Sequence, residues 1–165
     1  MMKRHLVLFI LAIAALFAVA CDDTAEEGMA IFGVSDINGN EPVVVSTADG
    51  TGGVVSMTFR WRPYFDTEGS ITEAYPHGDY NIEHYRITWT RVSAGSGVIG
   101  ARETTTSIFV PVYDLVPAGI IVVTPDEAAT MTAGTILNAN IEFTAREMGT
   151  DRDAKFSTTV SVTFN

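Results

Sequence analysis

Apolar and polar residues alternate in four segments of this 165-residue chain, and this alternation limits the folds open to it more than any other feature. The segments are 55–61, 85–89, 137–145 and 156–164. A period of two is the side-chain period of a β-strand that buries one face, whereas a helix repeats every 3.6 residues. We therefore predict four strands, each with one face in the core and one in water.

Weaker strand signals lie at 30–37, 42–46, 107–112 and 119–123, and turn-forming clusters rich in Gly, Asn, Asp and Ser separate the segments. No stretch after residue 21 keeps a helical period. Seven or eight short strands at these spacings predict an all-β fold, an antiparallel β-sandwich whose two inner faces share one core. Trp61 and Trp89 fall on inward-facing positions of two predicted strands, and we expect them at the centre of that core.

Two parts of the chain resemble a known group of domains. Residues 141–146, a polar turn and residues 159–165 resemble the last hairpin of immunoglobulin-like or fibronectin-III-like domains in bacterial surface lipoproteins, and 85–91 resembles a central strand of the same group. The resemblance implies an immunoglobulin-like β-sandwich and brings no catalytic residues with it. The paired cysteines of antibody domains are absent, because the chain has a single cysteine.

The first 21 residues have the order of an export signal. Lys3 and Arg4 precede an apolar run over residues 6–20, and Cys21 follows Ala20 directly. The run is shorter than the roughly 20 residues that a spanning helix needs, which favours a cleaved signal over a permanent span. A plain secretory signal cut before Cys21 would leave a free thiol at the new amino terminus.

The sequence around Cys21 resembles the bacterial lipoprotein signal, in which a small residue precedes the cysteine that is lipidated. The resemblance implies three parts: a helical signal peptide at 1–20, an acidic tether at 21–28 that starts at the lipidated Cys21, and the β-domain at 29–165. It also implies an exported protein anchored to the cell envelope. Whether the inner or the outer membrane holds it, facing the periplasm or the exterior, stays open.

Charge narrows the range of partners. The signal removes two of ten basic residues, so the mature chain carries 8 basic against 20 acidic residues, a formal charge of −12. Such a surface repels nucleic acid and anionic lipid headgroups. We therefore predict no nucleic-acid partner, and membrane contact through the acyl chains on Cys21 rather than through a protein face.

A polar segment between the first two clear strands is the first candidate for recognition. The segment has about 17 residues, and loops of this length in compact domains are often functional. It carries aromatic rings, carboxylates and an imidazole, but neither the calcium-loop spacing nor a recognised zinc spacing. The candidate recognition residues are Tyr64, Asp66, Glu68, Tyr75, His77, Asp79 and Tyr80. A second acidic group, Glu147, Asp151 and Asp153, is interpreted as the charged tip of the last hairpin.

The sequence contains no complete motif for catalysis or for cofactor binding. Gly95, Gly97 and Gly100 match a dinucleotide-binding spacing, but a β-prone run follows where a helix must start, so we interpret them as a strand-to-strand loop. We predict no enzyme, no cofactor and no metal site. The predicted function is a lipid-anchored binding or adhesion module for an unknown protein or glycan. The alternatives are a structural or assembly accessory of an envelope complex, and a calcium- or metal-dependent module.

Overall fold

The computed structural model describes residues 30–48, 50–63, 78–150 and 152–165. The predicted signal helix and tether therefore lie outside the described residues. Within these ranges the chain forms eight strands, one 3-10 turn and one short helix. The elements are β1 (Ala30–Ser35), the 3-10 turn (Ile37–Asn40), β2 (Val43–Val45), β3 (Gly53–Pro63), β4 (Tyr80–Arg91), β5 (Arg102–Val110), β6 (Val116–Val123), α1 (Pro125–Ala129), β7 (Ile136–Glu147) and β8 (Asp153–Phe164).

The predicted all-β class is confirmed, and each predicted strand corresponds to an observed one. Burial follows the alternation: along β3 every second residue is buried, from Val55 through Phe59 to Trp61, while the residues between them face water. On β7 Leu137, Ala139 and every second residue up to Ala145 are buried in the same way. The alternation therefore gave the buried face of both central strands.

The strands form two sheets. Three antiparallel strands make one sheet in the order β1-β3-β6, and five make the other in the order β2-β8-β7-β4-β5, which curls into a half-barrel. The prediction that all pairing is antiparallel is wrong at one place, because β2 pairs with β8 in parallel. The turn after β1 contains left-handed residues at Asp36, Asn38, Gly39 and Asn40, and across it the chain passes from one sheet to the other.

Phenylalanine rings join the two sheets. Phe59 of β3 meets Phe143 of β7 edge-on at 5.1 Å between ring centroids, and Phe156 of β8 stacks on Phe143 at 5.0 Å. The prediction of two tryptophans at the centre holds only in part. Trp61 is buried, but Trp89 lies in the other sheet, is only half-buried, and borders a groove with Val98 near the end of its strand.

The helix α1 is an element that the search for periodicity missed. It has five residues, too few for a helical period, yet its start carries a sequence signal. The Thr124 hydroxyl accepts a hydrogen bond from the Glu127 backbone N–H at 3.3 Å, and the Glu127 carboxylate accepts one from Thr124 N–H at 2.8 Å, with Pro125 at the first helical position. This capping box explains why the helix starts there. Among the described residues, no helix has the length and apolarity to cross a bilayer.

Different strands begin and end at the two ends of the body. At the Pro63 end, β3 ends at Pro63 and β1 begins at Ala30, its partner in the ladder; β4 begins there at Tyr80, opposite Val110 and Glu147. At the opposite end, called the Gly53 end, Gly53 of β3 lies beside Val123 of β6, and β4 ends at Arg91 opposite Leu137. The segment predicted to be a recognition loop connects strands at the Pro63 end.

Candidate functional site

The predicted recognition loop leaves the body at Pro63 and returns at Gly78. Residues 64–77 lie outside the described residues. The same holds for five of the seven candidate recognition residues, Tyr64, Asp66, Glu68, Tyr75 and His77. The structure places the other two, Asp79 and Tyr80, at the base where the chain returns to the body.

Tyr80 belongs to the core. Its residue surface is 4% exposed, and its ring packs edge-on against Trp61 at 4.8 Å and against Phe32 at 5.0 Å. Burial raises the pKa of the Tyr80 hydroxyl, the nearby Glu147 carboxylate raises this pKa further, and Arg152 lowers it. In the structure, therefore, Tyr80 packs and does not present its ring to a partner.

Asp79 ties two turns together at the Pro63 end. Its carboxylate accepts a hydrogen bond from the Val112 backbone N–H at 3.1 Å, and its backbone carbonyl accepts one from Met148 N–H at 2.7 Å. These contacts join the turn after β5 to the tip of the β7–β8 hairpin. Asp79 thereby holds the backbone next to Gly78, where the loop returns to the body.

Glu147 fixes the returning end of the loop. Its carboxylate accepts hydrogen bonds from the Gly78 backbone N–H at 3.2 Å and from the Thr150 hydroxyl at 2.8 Å. A side chain at position 78 would collide with Glu147, because a Cβ there would lie 2.9 Å from Glu147 Cγ. The carboxylate and the glycine therefore fit together as a clamp on the chain.

The interpretation of Glu147 as part of a charged, water-facing tip is wrong, since the residue is only 2% exposed. Its position in β7 gives the reason: Glu147 has the same parity as Phe143 and Ala145, so the alternation itself points it inward. Of its two predicted companions, Asp153 pairs with Arg146 at 3.1 Å on the surface, and Asp151 lies outside the described residues.

A second concave surface lies on the outer face of the five-stranded sheet. It encloses about 210 Å³ and is lined by His84, Arg86, Glu103, Glu142, Thr144 and Lys155. Arg86 lies in the ladder between Glu103 and Glu142, and His84 Nε2 lies 3.8 Å from a Glu103 carboxylate oxygen. The side chains of His84 and Glu103 are so exposed that their interaction contributes little to stability.

Within the described ranges, no three His, Cys, Asp or Glu side chains are grouped to hold a metal ion.

The glycine-rich segment forms a strand-to-strand loop, and β5 begins at Arg102 where a dinucleotide site needs a helix. The loop is packed closely against the segment after α1. A Cβ at Gly95 would overlap the Thr135 hydroxyl, and one at Gly97 would lie 2.5 Å from the Thr130 carbonyl oxygen. These two glycines are thus required for close approach of the backbones.

The chain matches no family model, and no curated protein matches it.

Proposed function

We propose that the chain is an exported, lipid-anchored, non-catalytic binding module of the bacterial cell envelope, with the anchor on Cys21. The basic start, the short apolar run and the placement of the cysteine at its end support the anchor. In this proposal the described body carries a recognition surface for a protein or glycan, and the acyl chains hold it at the membrane.

We also propose that the body is an immunoglobulin-like β-sandwich. Its support is the strand order, in which β7 lies between β8 and β4 in one sheet and β3 lies between β1 and β6 in the other. In antibody domains a disulfide joins the two central strands of the facing sheets. Here Phe59 and Phe143 make a contact between the central strands β3 and β7.

The observation that carries the binding proposal is the hydrogen-bonded base of the loop. The chain returns at Gly78 onto the buried Glu147 carboxylate, and the next residue, Asp79, is bonded to Val112 and Met148. Binding residues are commonly found on loops that a rigid scaffold positions. A loop whose returning end is held in this way can present side chains to a binding partner. Binding of this kind requires no catalytic group.

The accessory role is the second candidate, because the loop and the start of the body share one end. Ala30 pairs with Pro63, so a chain anchored through Cys21 enters the body beside the loop. A partner bound by that loop would lie near the membrane that holds the anchor, as expected for a neighbouring envelope protein. The edge strand β5, which carries no charge over residues 104–110, offers such a partner a second contact by strand addition.

The anchor is tested first. Replacing Cys21 with Ser should move the protein from the membrane fraction to the soluble fraction, and mass spectrometry of the wild-type amino terminus should show acyl chains. An unmodified amino terminus in the wild-type protein would contradict the anchor.

The loop is tested by affinity purification from membranes and on glycan arrays. We expect a variant with Tyr64→Ser and Tyr75→Ser to lose the partner, while the surface control Thr159→Ala keeps it. Recovery of one stoichiometric envelope protein supports the accessory role, and binding to external glycans or matrix supports adhesion. Equal capture by the loop variant and the control would exclude the loop. For the metal-dependent alternative, calcium or zinc should raise the melting temperature, and no shift would contradict it.

A further inference from the structure

Four large apolar side chains are at least half exposed at the Pro63 end. They are Phe109, Tyr113, Leu115 and Met148, and together they are called the apolar rim. Phe109 is near the end of β5, Tyr113 and Leu115 lie in the turn that follows, and Met148 lies at the β7–β8 tip. Backbone contacts bring them to one place, because Asp79 is bonded to Val112 and Met148, and Asn81 pairs with Phe109. Apolar side chains exposed together at one place mark a site of contact with a protein or a membrane.

The rim stands on a backbone that hydrogen bonds hold in place. The Tyr113 N–H donates to the Trp61 carbonyl at 3.2 Å, and Asp79 accepts from the N–H groups of Val112 and Met148. Tyr113 also has a left-handed backbone, with φ at 65°, which is uncommon for a bulky residue. These contacts keep Tyr113 in a conformation that leaves its ring in water.

The rim lies at the end of the body that the anchor would reach. β1 begins at Ala30 beside Pro63, and eight residues separate Cys21 from Ala30. A chain of this length spans at most about 30 Å even when fully extended. A lipid on Cys21 therefore keeps the Pro63 end within about 30 Å of the bilayer.

We propose that the apolar rim contacts the interfacial layer of the same bilayer that holds the acyl chains, so that the body docks on the lipid surface with the Pro63 end down. The inference rests on the proposed lipidation of Cys21, and it favours the accessory role over adhesion, because the Pro63 end that carries the recognition loop then faces the membrane. Tyrosine, phenylalanine and leucine are residues that favour the headgroup level of a membrane. The exposed Asp114 between Tyr113 and Leu115 limits the depth to that level, because its carboxylate must stay hydrated.

The net negative charge of the mature chain determines which lipid headgroups the body can approach. With 8 basic and 20 acidic residues after the signal, the body is repelled by an anionic surface and by a second copy of itself. A zwitterionic surface carries no such penalty. Where the headgroups are neutral overall, the rim thus adds a protein contact to the acyl anchor, which departs from the expectation that the acyl chains alone contact the membrane.

The test uses the lipidated full-length protein in phosphatidylcholine vesicles. A single cysteine introduced by Leu115→Cys carries an environment-sensitive fluorophore, and Cys21, blocked as a thioether, does not react. Val98→Cys is the matched control, since Val98 is 85% exposed and Leu115 63%, but Val98 lies in the loop at the Gly53 end. Both changes are at exposed positions and should leave the fold intact.

We expect the label at position 115 to shift to shorter wavelength on vesicles and to be quenched by brominated lipids, whereas the label at 98 keeps its emission in water. Replacing half of the phosphatidylcholine by phosphatidylglycerol should reduce the shift at 115. Equal behaviour of the two labels in a lipidated protein would overturn the docking proposal alone. A mass spectrum with an unmodified Cys21 would overturn the anchor, and the docking proposal with it.

Discussion

Replacing the buried Glu147 carboxylate probes what holds the base of the loop. Among the described residues, its hydrogen-bond partners are the Gly78 N–H and the Thr150 hydroxyl, at 3.2 and 2.8 Å. Two variants separate charge from hydrogen bonding. Glu147→Gln keeps an acceptor but removes the charge, and Glu147→Leu removes both acceptor oxygens while filling a similar space.

The expected losses follow from the two contacts. A hydrogen bond to a charged group stabilises by about 1.5–3 kcal/mol and a neutral one by about 1 kcal/mol, so the two contacts together lose about 1–4 kcal/mol in Glu147→Gln. Relief of carboxylate desolvation offsets part of this, and we expect a net loss in the free energy of unfolding of about 1–2 kcal/mol. Glu147→Leu leaves two donors without an acceptor, at about 1–3 kcal/mol each, and relief of carboxylate desolvation offsets part of this. We expect a net loss of about 3 kcal/mol for the leucine variant.

Urea unfolding followed by the combined fluorescence of Trp61 and Trp89 measures these losses. With a slope of about 1–3 kcal/mol per molar urea, the leucine variant should lower the midpoint by roughly 1–3 M. Glu142→Gln is the matched control, because Glu142 lies on the same strand and faces water. The control should stay within about 0.5 kcal/mol of wild type.

One outcome would refute this reasoning. If Glu147→Leu is as stable as wild type or more so, the cost of burying the carboxylate exceeds what its two hydrogen bonds return, as happens for some buried ion pairs. Glu147 would then be retained for a reason other than stability, and the clamp on Gly78 would not explain its burial.

Three further measurements test the packing. Burial and the Glu147 carboxylate raise the pKa of Tyr80 in the folded state. The protonated hydroxyl therefore contributes its full share of the free energy of unfolding below the unfolded-state pKa, and this share is lost as pH rises through the folded-state pKa. Above about pH 10 the wild type should lose more stability than Tyr80→Phe. Phe143→Ala empties the contact between the sheets and should cost about 3–5 kcal/mol in urea unfolding. Gly97→Ala, with φ at 99° and a carbonyl oxygen 2.5 Å from the new Cβ, should lower the melting temperature, whereas Gly100→Ala, which meets nothing within 4 Å, should not.

The sequence predicted the strands and their buried faces because alternation is a local property. It could not predict which sheet each strand joins, since pairing joins residues far apart in the chain. Trp61 and Trp89 have the parity of inward residues, yet they lie in different sheets. The parallel pairing of β2 with β8 likewise follows from the change of sheet after β1, which no local pattern records.

At the candidate site, a bulge in β4 explains why a residue count along the strand would not have moved Tyr80 from the predicted loop to the core. Counting back by twos from Tyr85 and Ile87 assigns Tyr80 to the water-facing set. The register shifts between Ile82 and His84, so β4 has one residue more than β7 there, and the sides exchange. Tyr80 and Ile82 therefore join the core. A strand-by-strand count needs the pairing partner to detect such a bulge, and for that reason the burial of Tyr80 becomes visible only in the folded chain, whereas that of Glu147 follows from the alternation along β7.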